Sequence, residues 1–312
     1  MLRTNACPYI YAALLLCLLS IAANGINFFT THYPGNNYFP PNIIKIGLPL
    51  LLTYTGCLIQ FGRNSTLTNR VKEIIMLLLI LLMIAFAANA VQYTPFPTID
   101  QTIVNIEQTL HINTSAIVSW TNHQPLFLKI LDLAYDSLAY QMAYIPLALI
   151  MIKRHAELHE YYFLLLFSTI IGFVFYYFFP TTAPASILDN PYFASAQHAT
   201  GLKFSQIHQH IQPTTLDGGL VALPSFHVIW AWFSLYLIRS WPIPWMLLLP
   251  INLLLVLSCV LLGWHYPMDI LGGLVVILFS HAAYGRISAL SFRREKASPA
   301  EHLSFSIIDN AD

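Results

Sequence analysis

Eight long apolar runs constrain this chain more than any single motif. They cover roughly 9–29, 43–61, 73–92, 126–152, 161–180, 222–239, 244–264 and 268–286. The runs toward the carboxyl end are roughly 17 to 21 residues each, about the length of α-helix that crosses bilayer hydrocarbon. Inside lipid, backbone N–H and C=O groups must be satisfied within the segment, so such runs fold as helices. Composition agrees: 57% of residues are hydrophobic, only 9% are charged, and the mean hydropathy is +0.62. A soluble domain carries about 25% charged residues. The expected fold is therefore all-α: a polytopic membrane helix bundle of about eight transmembrane helices. It reads as one transmembrane domain over residues 1–290, followed by a polar cytoplasmic tail at 291–312.

The zero formal net charge hides an asymmetry along the chain. Membrane proteins concentrate Lys and Arg in cytoplasmic segments. With the amino terminus inside, the inner segments hold Arg3, Arg63, Arg70, Lys72, Lys153, Arg154, Arg239, Arg286, Arg293, Arg294 and Lys296. The outer segments hold Lys45, Lys129 and Lys203. Both termini are thus expected in the cytoplasm. The first run also resembles a cleavable signal peptide, with Arg3, an apolar core from Tyr9 to Leu19, and Ala22-Ala23. Because the run continues to Phe29, a retained first span is the preferred reading.

Two outer segments are long. Residues 93–125 carry Ile99, Ile103, Ile106 and Leu110 at helical spacing, with Asp100, Asn105 and Glu107 between them. That pattern predicts an amphipathic helix lying in the membrane interface or capping the bundle. Residues 180–221, rich in Pro, Thr, His and Gln, form a second segment expected to act as a headgroup-facing lid. The cysteines Cys7, Cys17, Cys57 and Cys259 all lie in apolar sequence without short pairing. They read as buried thiols rather than a disulfide or zinc framework.

Two polar islands interrupt the last spans. The first is Leu223-Pro224-Ser225-Phe226-His227-Val228, and the second is Gly263-Trp264-His265-Tyr266-Pro267-Met268-Asp269. One span separates them. A helix starting near His227 and a helix ending near His265 put both imidazoles at the same membrane face, which the charge pattern makes the outer one. Ser225 is a good N-cap for the first helix, and a helix N-terminus suits an anion such as phosphate. Gly218-Gly219 would let the backbone approach that anion closely. An imidazole has an ordinary pKa of about 6.5, suited to proton donation near neutrality. His265 and Asp269 are four apart, so the carboxylate can hold one ring nitrogen while the other attacks.

These residues carry a family resemblance. Pro224-Ser225-Phe226-His227 is similar to the Pro-Ser-x-His motif of the type-2 phosphatidic acid phosphatase superfamily. Ser258-Cys259-Val260-Leu261-Leu262-Gly263-Trp264-His265-Tyr266-Pro267-Met268-Asp269 resembles its Ser-Arg-x5-His-x3-Asp motif. The resemblance covers about 161–286, the expected catalytic half, and implies a six-helix core. It implies that His265 attacks phosphorus to form a phosphohistidine, Asp269 orients it, and His227 protonates the leaving group. Water or an alcohol then takes the phosphoryl group.

Two departures narrow the reading. Cys259 stands where the motif has Arg, and Phe179-Pro180-Thr181-Thr182-Ala183-Pro184 stands near where the family's Lys-x6-Arg-Pro motif would lie. The pattern is more similar to the inositol-phosphorylceramide synthase and sphingomyelin synthase branch. A phosphomonoester carries nearly two charges at neutral pH, whereas a diester carries one. A site poor in cations therefore favours exchange or hydrolysis of a phosphodiester headgroup, with lipid phosphomonoesterase as the alternative. A transporter using Asp132 and Asp136, or a lipid-binding member without turnover, would be a different class.

Expected substrate contacts are Ser225, Phe226, Gly218, Gly219, Lys203, Asp217 and Tyr266. Asp136 and Tyr135 form a secondary pair, in a stretch similar to one in bacterial members of the superfamily. His198, His208 and His210 with Asp189 and Asp217 lack tight ligand spacing. Neither metal nor cofactor is demanded, because histidine can attack phosphorus without one. The implied partners are a phospholipid or lipid-phosphate substrate, a lipid alcohol acceptor and the bilayer; nothing points to nucleic acid.

Overall fold

The computed structural model describes residues 8–32, 38–39, 42–215, 217, 219 and 221–297, with side chains as far as Leu290. Among the described residues the chain forms eleven α-helices and one 3₁₀ turn, with no strand. They are α1 (Pro8–Thr31), α2 (Ile43–Phe61), α3 (Thr66–Val91), α4 (Asp100–Thr109), α5 (Thr114–Asn122), α6 (Pro125–Met151) and α7 (His155–Phe178). The 3₁₀ turn Pro184–Ser186 follows, then α8 (Ser195–His208), α9 (Phe226–Leu237), α10 (Pro242–Leu261) and α11 (Pro267–Ala297). Local sequence explains many of the starts. Ser65, Asn113 and Ser225 each accept the N–H three residues on, as N-caps do. Pro125, Pro242 and Pro267 open α6, α10 and α11, where a missing N–H costs no helical bond.

Among the described residues, six helices are long and apolar enough to cross a bilayer: α1, α2, α3, α7, α10 and α11. The 27-residue α6 has the length but carries Lys129, Asp132, Asp136 and Gln141. The expected span at 222–239 is shorter than its apolar run. Residues 222–225 are spent on the turn and N-cap, leaving the 12-residue α9, only about 18 Å long at 1.5 Å per residue. It is a core helix, with Ile229 and Phe233 wholly inaccessible. The helix α7 is buried on most of its faces, as a central helix must be. Leu158, Tyr162, Leu164, Leu165, Leu166 and Tyr176 are fully covered, and α1, α3, α9 and α11 pack around it.

Polar contacts gather at the two ends of this bundle. At one end Arg70 bonds the Met151 carbonyl, Glu73 meets His159 at 3.3 Å, and Glu160 binds Arg239 at 2.6 Å. At the other end lie the two islands, the α4–α5 segment and the α8 segment. There Asn190 Nδ2 donates to the Ser115 carbonyl at 2.8 Å, and Gln197 donates to the Leu262 carbonyl at 2.8 Å. Leu223 N–H donates to Thr181 Oγ1 at 2.8 Å. The lid segment is thereby packed onto the islands.

The outer amphipathic pattern differs from its expected form. Residues 93–125 hold two helices, and the buried stripe of α4 is Asp100, Ile103, Val104 and Glu107. Ile106 and Leu110 are exposed. The stripe still follows helical spacing, but two acids face inward because they find partners there. The expected tail is helical at its start, since α11 runs to Ala297; residues 298–312 lie outside the described ones. Cys17, Cys57 and Cys259 are free thiols, the last two buried; Cys7 lies outside the described residues.

Gly263 shapes the turn that carries the second island. Its φ is +80°, and a Cβ there would lie 2.6 Å from Phe193 and 2.8 Å from Val118. Gly263→Ala should cost roughly 1–3 kcal/mol of stability, read as a lowered unfolding midpoint in detergent. An unchanged midpoint would show that the turn relaxes freely.

Candidate functional site

The first island reaches the site through α9. Ser225 caps the helix, which puts His227 in its first turn. The second island is the turn between α10 and α11. His265 N–H is held by the Cys259 carbonyl at 2.8 Å, and α11 begins at Pro267, placing Asp269 in its first turn. The helix α11 also presses on the first island. A Cβ on Gly272 would stand 2.5 Å from Leu223 Cδ1, and Ser225 N–H donates to the Asp269 carbonyl at 3.1 Å.

The two imidazoles meet here, their ring centroids 5.6 Å apart. His265 Nδ1 lies 3.2 Å from Asp269 Oδ2 and 3.1 Å from the Ala222 carbonyl. Both are acceptors, so Nδ1 carries the proton and the Nε2 lone pair is left free. That Nε2 faces Ser225 Oγ at 3.3 Å and His227 Nδ1 at 3.5 Å. Asp269 is fully buried and His265 nearly so. Asp269 Oδ2 also accepts the Tyr266 N–H at 2.9 Å, while Oδ1 has no hydrogen-bond partner among the described residues.

Tyr135 of α6 stacks on His227 with centroids 4.2 Å apart, and on Trp264 at 5.5 Å. The imidazole of His227 is thus backed by two aromatic planes. Asp136, the neighbour of Tyr135, is exposed.

The other expected contacts are dispersed. The ring of Phe226 packs into the core against Phe173 and Trp230, on a different face of α9 from His227. Tyr266 is buried, and its hydroxyl donates to Asp100 Oδ1 at 3.2 Å, so it braces the turn instead of facing a ligand. Lys203 is buried in α8, where its ammonium donates to the Asp217 carbonyl at 3.0 Å and stands over the Tyr38 ring. Burial lowers the Lys203 pKa to about 8, against the opposing pull of Asp217. Gly219 is exposed with open space around it. Gly218 lies outside the described residues. No group of three His, Cys, Asp or Glu among the described residues is placed to hold a metal ion.

Sequence reasoning missed the carboxylates behind the site. Asp100 accepts the Thr182 N–H on both oxygens at 3.0 Å. Glu107 accepts Thr114 Oγ1 at 2.9 Å and the Met268 N–H at 3.3 Å. Burial raises the Asp100 carboxyl to about 6, its bonds from Thr182 and Tyr266 pulling the other way and the nearby Asp269 charge adding to the rise. Burial likewise raises Glu107 and, helped by Asp100, the Tyr266 phenol. The missed signal was the spacing of 100, 103, 104 and 107 on one helical face. Cys259, at the position of the expected Arg, donates its thiol to the Leu255 carbonyl at 3.3 Å and supplies no charge to the imidazole pair.

A family model described as PAP2 superfamily matches residues 101–283, more than half of the chain and all of the elements from α4 to the body of α11. The chain belongs to the PAP2 superfamily. The match starts well before residue 161, so α4, α5 and α6 belong to the family region together with the two islands. Membership supports phosphatase-type chemistry on lipid phosphoesters by a membrane-embedded helical protein. No curated protein and no solved structure matches the chain.

Stacking of this kind is worth about 0.5–1.5 kcal/mol. Tyr135→Leu should therefore lower phosphoester turnover by roughly two- to tenfold, whereas Tyr135→Phe, which keeps the ring, should stay near wild type. Equal losses in both variants would assign the effect to the hydroxyl.

Proposed function

We propose that this PAP2 superfamily member transfers or hydrolyses a phospholipid phosphodiester headgroup through a phosphohistidine on His265. One observation carries the reading. His265 is held at Nδ1 by Asp269 and Ala222 while its Nε2 faces His227 Nδ1 at 3.5 Å.

In the proposed reaction His265 Nε2 attacks phosphorus, and the P–O bond to the leaving group breaks. Burial, with His265 close by, lowers the His227 pKa, so the ring takes up a proton as the anionic substrate binds beside it and gives that proton to the departing oxygen. Phosphorylated at Nε2 and protonated at Nδ1, His265 carries positive charge. The buried Asp269 carboxylate, with Oδ1 unpaired, compensates that charge where it develops. Water or a lipid alcohol then attacks the same phosphorus, His227 takes its proton, and His265 leaves. Reacting atoms stand about 3–3.5 Å apart before attack, so phosphorus cannot sit between two nitrogens 3.5 Å apart. Substrate entry therefore separates the two rings. The first turn of α9, whose backbone N–H groups lack helical partners, offers the anion site.

The preference for a diester rests on charge. The groups found around the imidazole pair are Ser225, Ala222, Asp269, Cys259, Tyr135 and Trp264, none of them Lys or Arg. A singly charged diester matches such a site better than a monoester of nearly two charges. This supports the branch resembling inositol-phosphorylceramide and sphingomyelin synthases. The bundle end holding Arg70, Lys72, Arg154 and Arg239 lies opposite the islands, which supports a cytoplasmic position for that end and an outward-facing site.

Purified protein should move a labelled headgroup from phosphatidylinositol or phosphatidylcholine to ceramide or diacylglycerol. His227→Ala should lower that rate about 10²–10⁴-fold, and His265→Ala should abolish it. Free phosphate released from phosphatidic acid, with no exchanged lipid, would overturn the diester preference. Undiminished turnover in both histidine variants would overturn the mechanism.

A further inference from the structure

We propose that Asp100 and Glu107 of the outer helix α4 are positioning residues for His265, clamping both acceptors that hold its Nδ1. The inference rests on the phosphohistidine reading above and extends the site to a helix some 160 residues away in sequence.

Two chains of contact converge on one ring nitrogen. In the first, Asp100 takes the Thr182 N–H on both carboxylate oxygens at 3.0 Å. The adjacent Thr181 Oγ1 accepts the Leu223 N–H at 2.8 Å, and Leu223 follows Ala222, whose carbonyl lies 3.1 Å from His265 Nδ1. In the second, Asp100 Oδ1 accepts the Tyr266 hydroxyl at 3.2 Å, and Glu107 Oε1 accepts the Met268 N–H at 3.3 Å. Tyr266 and Met268 lie within the stretch from His265 to Asp269, and the Tyr266 N–H itself binds Asp269 Oδ2 at 2.9 Å. The helix α4 thus grips the attacking residue's turn at two points, through acids seven residues apart on one face.

Both acids are almost completely buried, Asp100 at 0% and Glu107 at 2% exposure. Both also stabilise the fold, because an apolar residue in either place would leave buried donors of Thr182, Tyr266 or Met268 unpaired. Their bonds are directional and end on the turn that aims His265 Nε2. A nucleophile misplaced by a fraction of an ångström to one ångström loses up to about a hundredfold in rate.

The test uses full-length protein in mixed micelles, with phosphatidic acid as one substrate and phosphatidylinositol plus ceramide as the other. Asp100→Ala, Tyr266→Phe, the double variant, Glu107→Ala and Glu107→Gln are compared for kcat, KM and unfolding midpoint. Asp100→Ala and Tyr266→Phe should each lower kcat roughly ten- to a hundredfold with KM within about twofold. The double variant should be no slower than Asp100→Ala, which already removes the acceptor of the Tyr266 hydroxyl. Glu107→Gln, which keeps an acceptor for Met268, should recover most of the loss seen in Glu107→Ala. The inference is overturned if folded Asp100→Ala or Tyr266→Phe keeps its kcat, if only KM or the unfolding midpoint moves, or if the two losses multiply. A His265→Ala variant as active as wild type, or a wild type inert on both lipids, overturns the reading of the site itself and this inference with it.

Discussion

One carboxylate oxygen holds the arrangement together. Asp269 Oδ2 takes both the His265 Nδ1 proton and the Tyr266 N–H, from inside a wholly buried residue. An ionised carboxylate in such a place is costly unless it is paired. Around it the α10–α11 turn is pinned from several directions: by Gly263 beneath, by the Cys259 carbonyl, and by the first island through the Ser225–Asp269 backbone bond. The result is an imidazole whose Nε2 has one direction to face, toward His227. In the proposed reaction that fixed direction, more than any added charge, is what the fold supplies.

The membrane-spanning architecture was legible because lipid leaves the backbone few choices. Apolar runs near 20 residues must become helices; those from 43–61 and 244–264 reappear nearly at their expected bounds as α2 and α10, and 268–286 opens α11, which continues to Ala297. The short α9 was not legible by the same rule. Its run is apolar because it is buried in protein, and composition does not separate burial in protein from burial in lipid. The pairing of His227, His265 and Asp269 was readable from two islands separated by one span, since helix length alone fixes which residues share an end.

The surroundings of the site were harder to read. Phe226 and Tyr266, expected to meet substrate, turn into the core and toward Asp100, because side-chain direction depends on neighbours the sequence does not name. Lys203 is drawn to the Asp217 carbonyl and Tyr38. The acids of α4 were misassigned to a solvent face by the ordinary rule that charge faces water. That rule fails where buried N–H and O–H groups need acceptors, and Thr182, Tyr266 and Met268 supply three such donors. The segments that looked like loops over a catalytic bundle are therefore part of its frame, consistent with a family region that already begins at residue 101.

The far end of the bundle shows what the same residue types do without an island. There Glu73 gathers His155 and His159, and Glu160 gathers Arg239 and Tyr236. These contacts tie α3, α7 and the end of α9 together through hydrogen bonds and the Glu160–Arg239 ion pair. At the island end, the imidazole pair is backed by a carboxylate on one side and an aromatic stack on the other. The central claim is that these two imidazoles address one phosphorus atom. A structure of the protein soaked in orthovanadate tests it most directly. The account predicts vanadium bonded to His265 Nε2, with His227 on the opposite side within reach of the apical oxygen. Vanadate bound away from both rings, or held elsewhere with His265 Nε2 still in direct contact with His227 Nδ1, would contradict it.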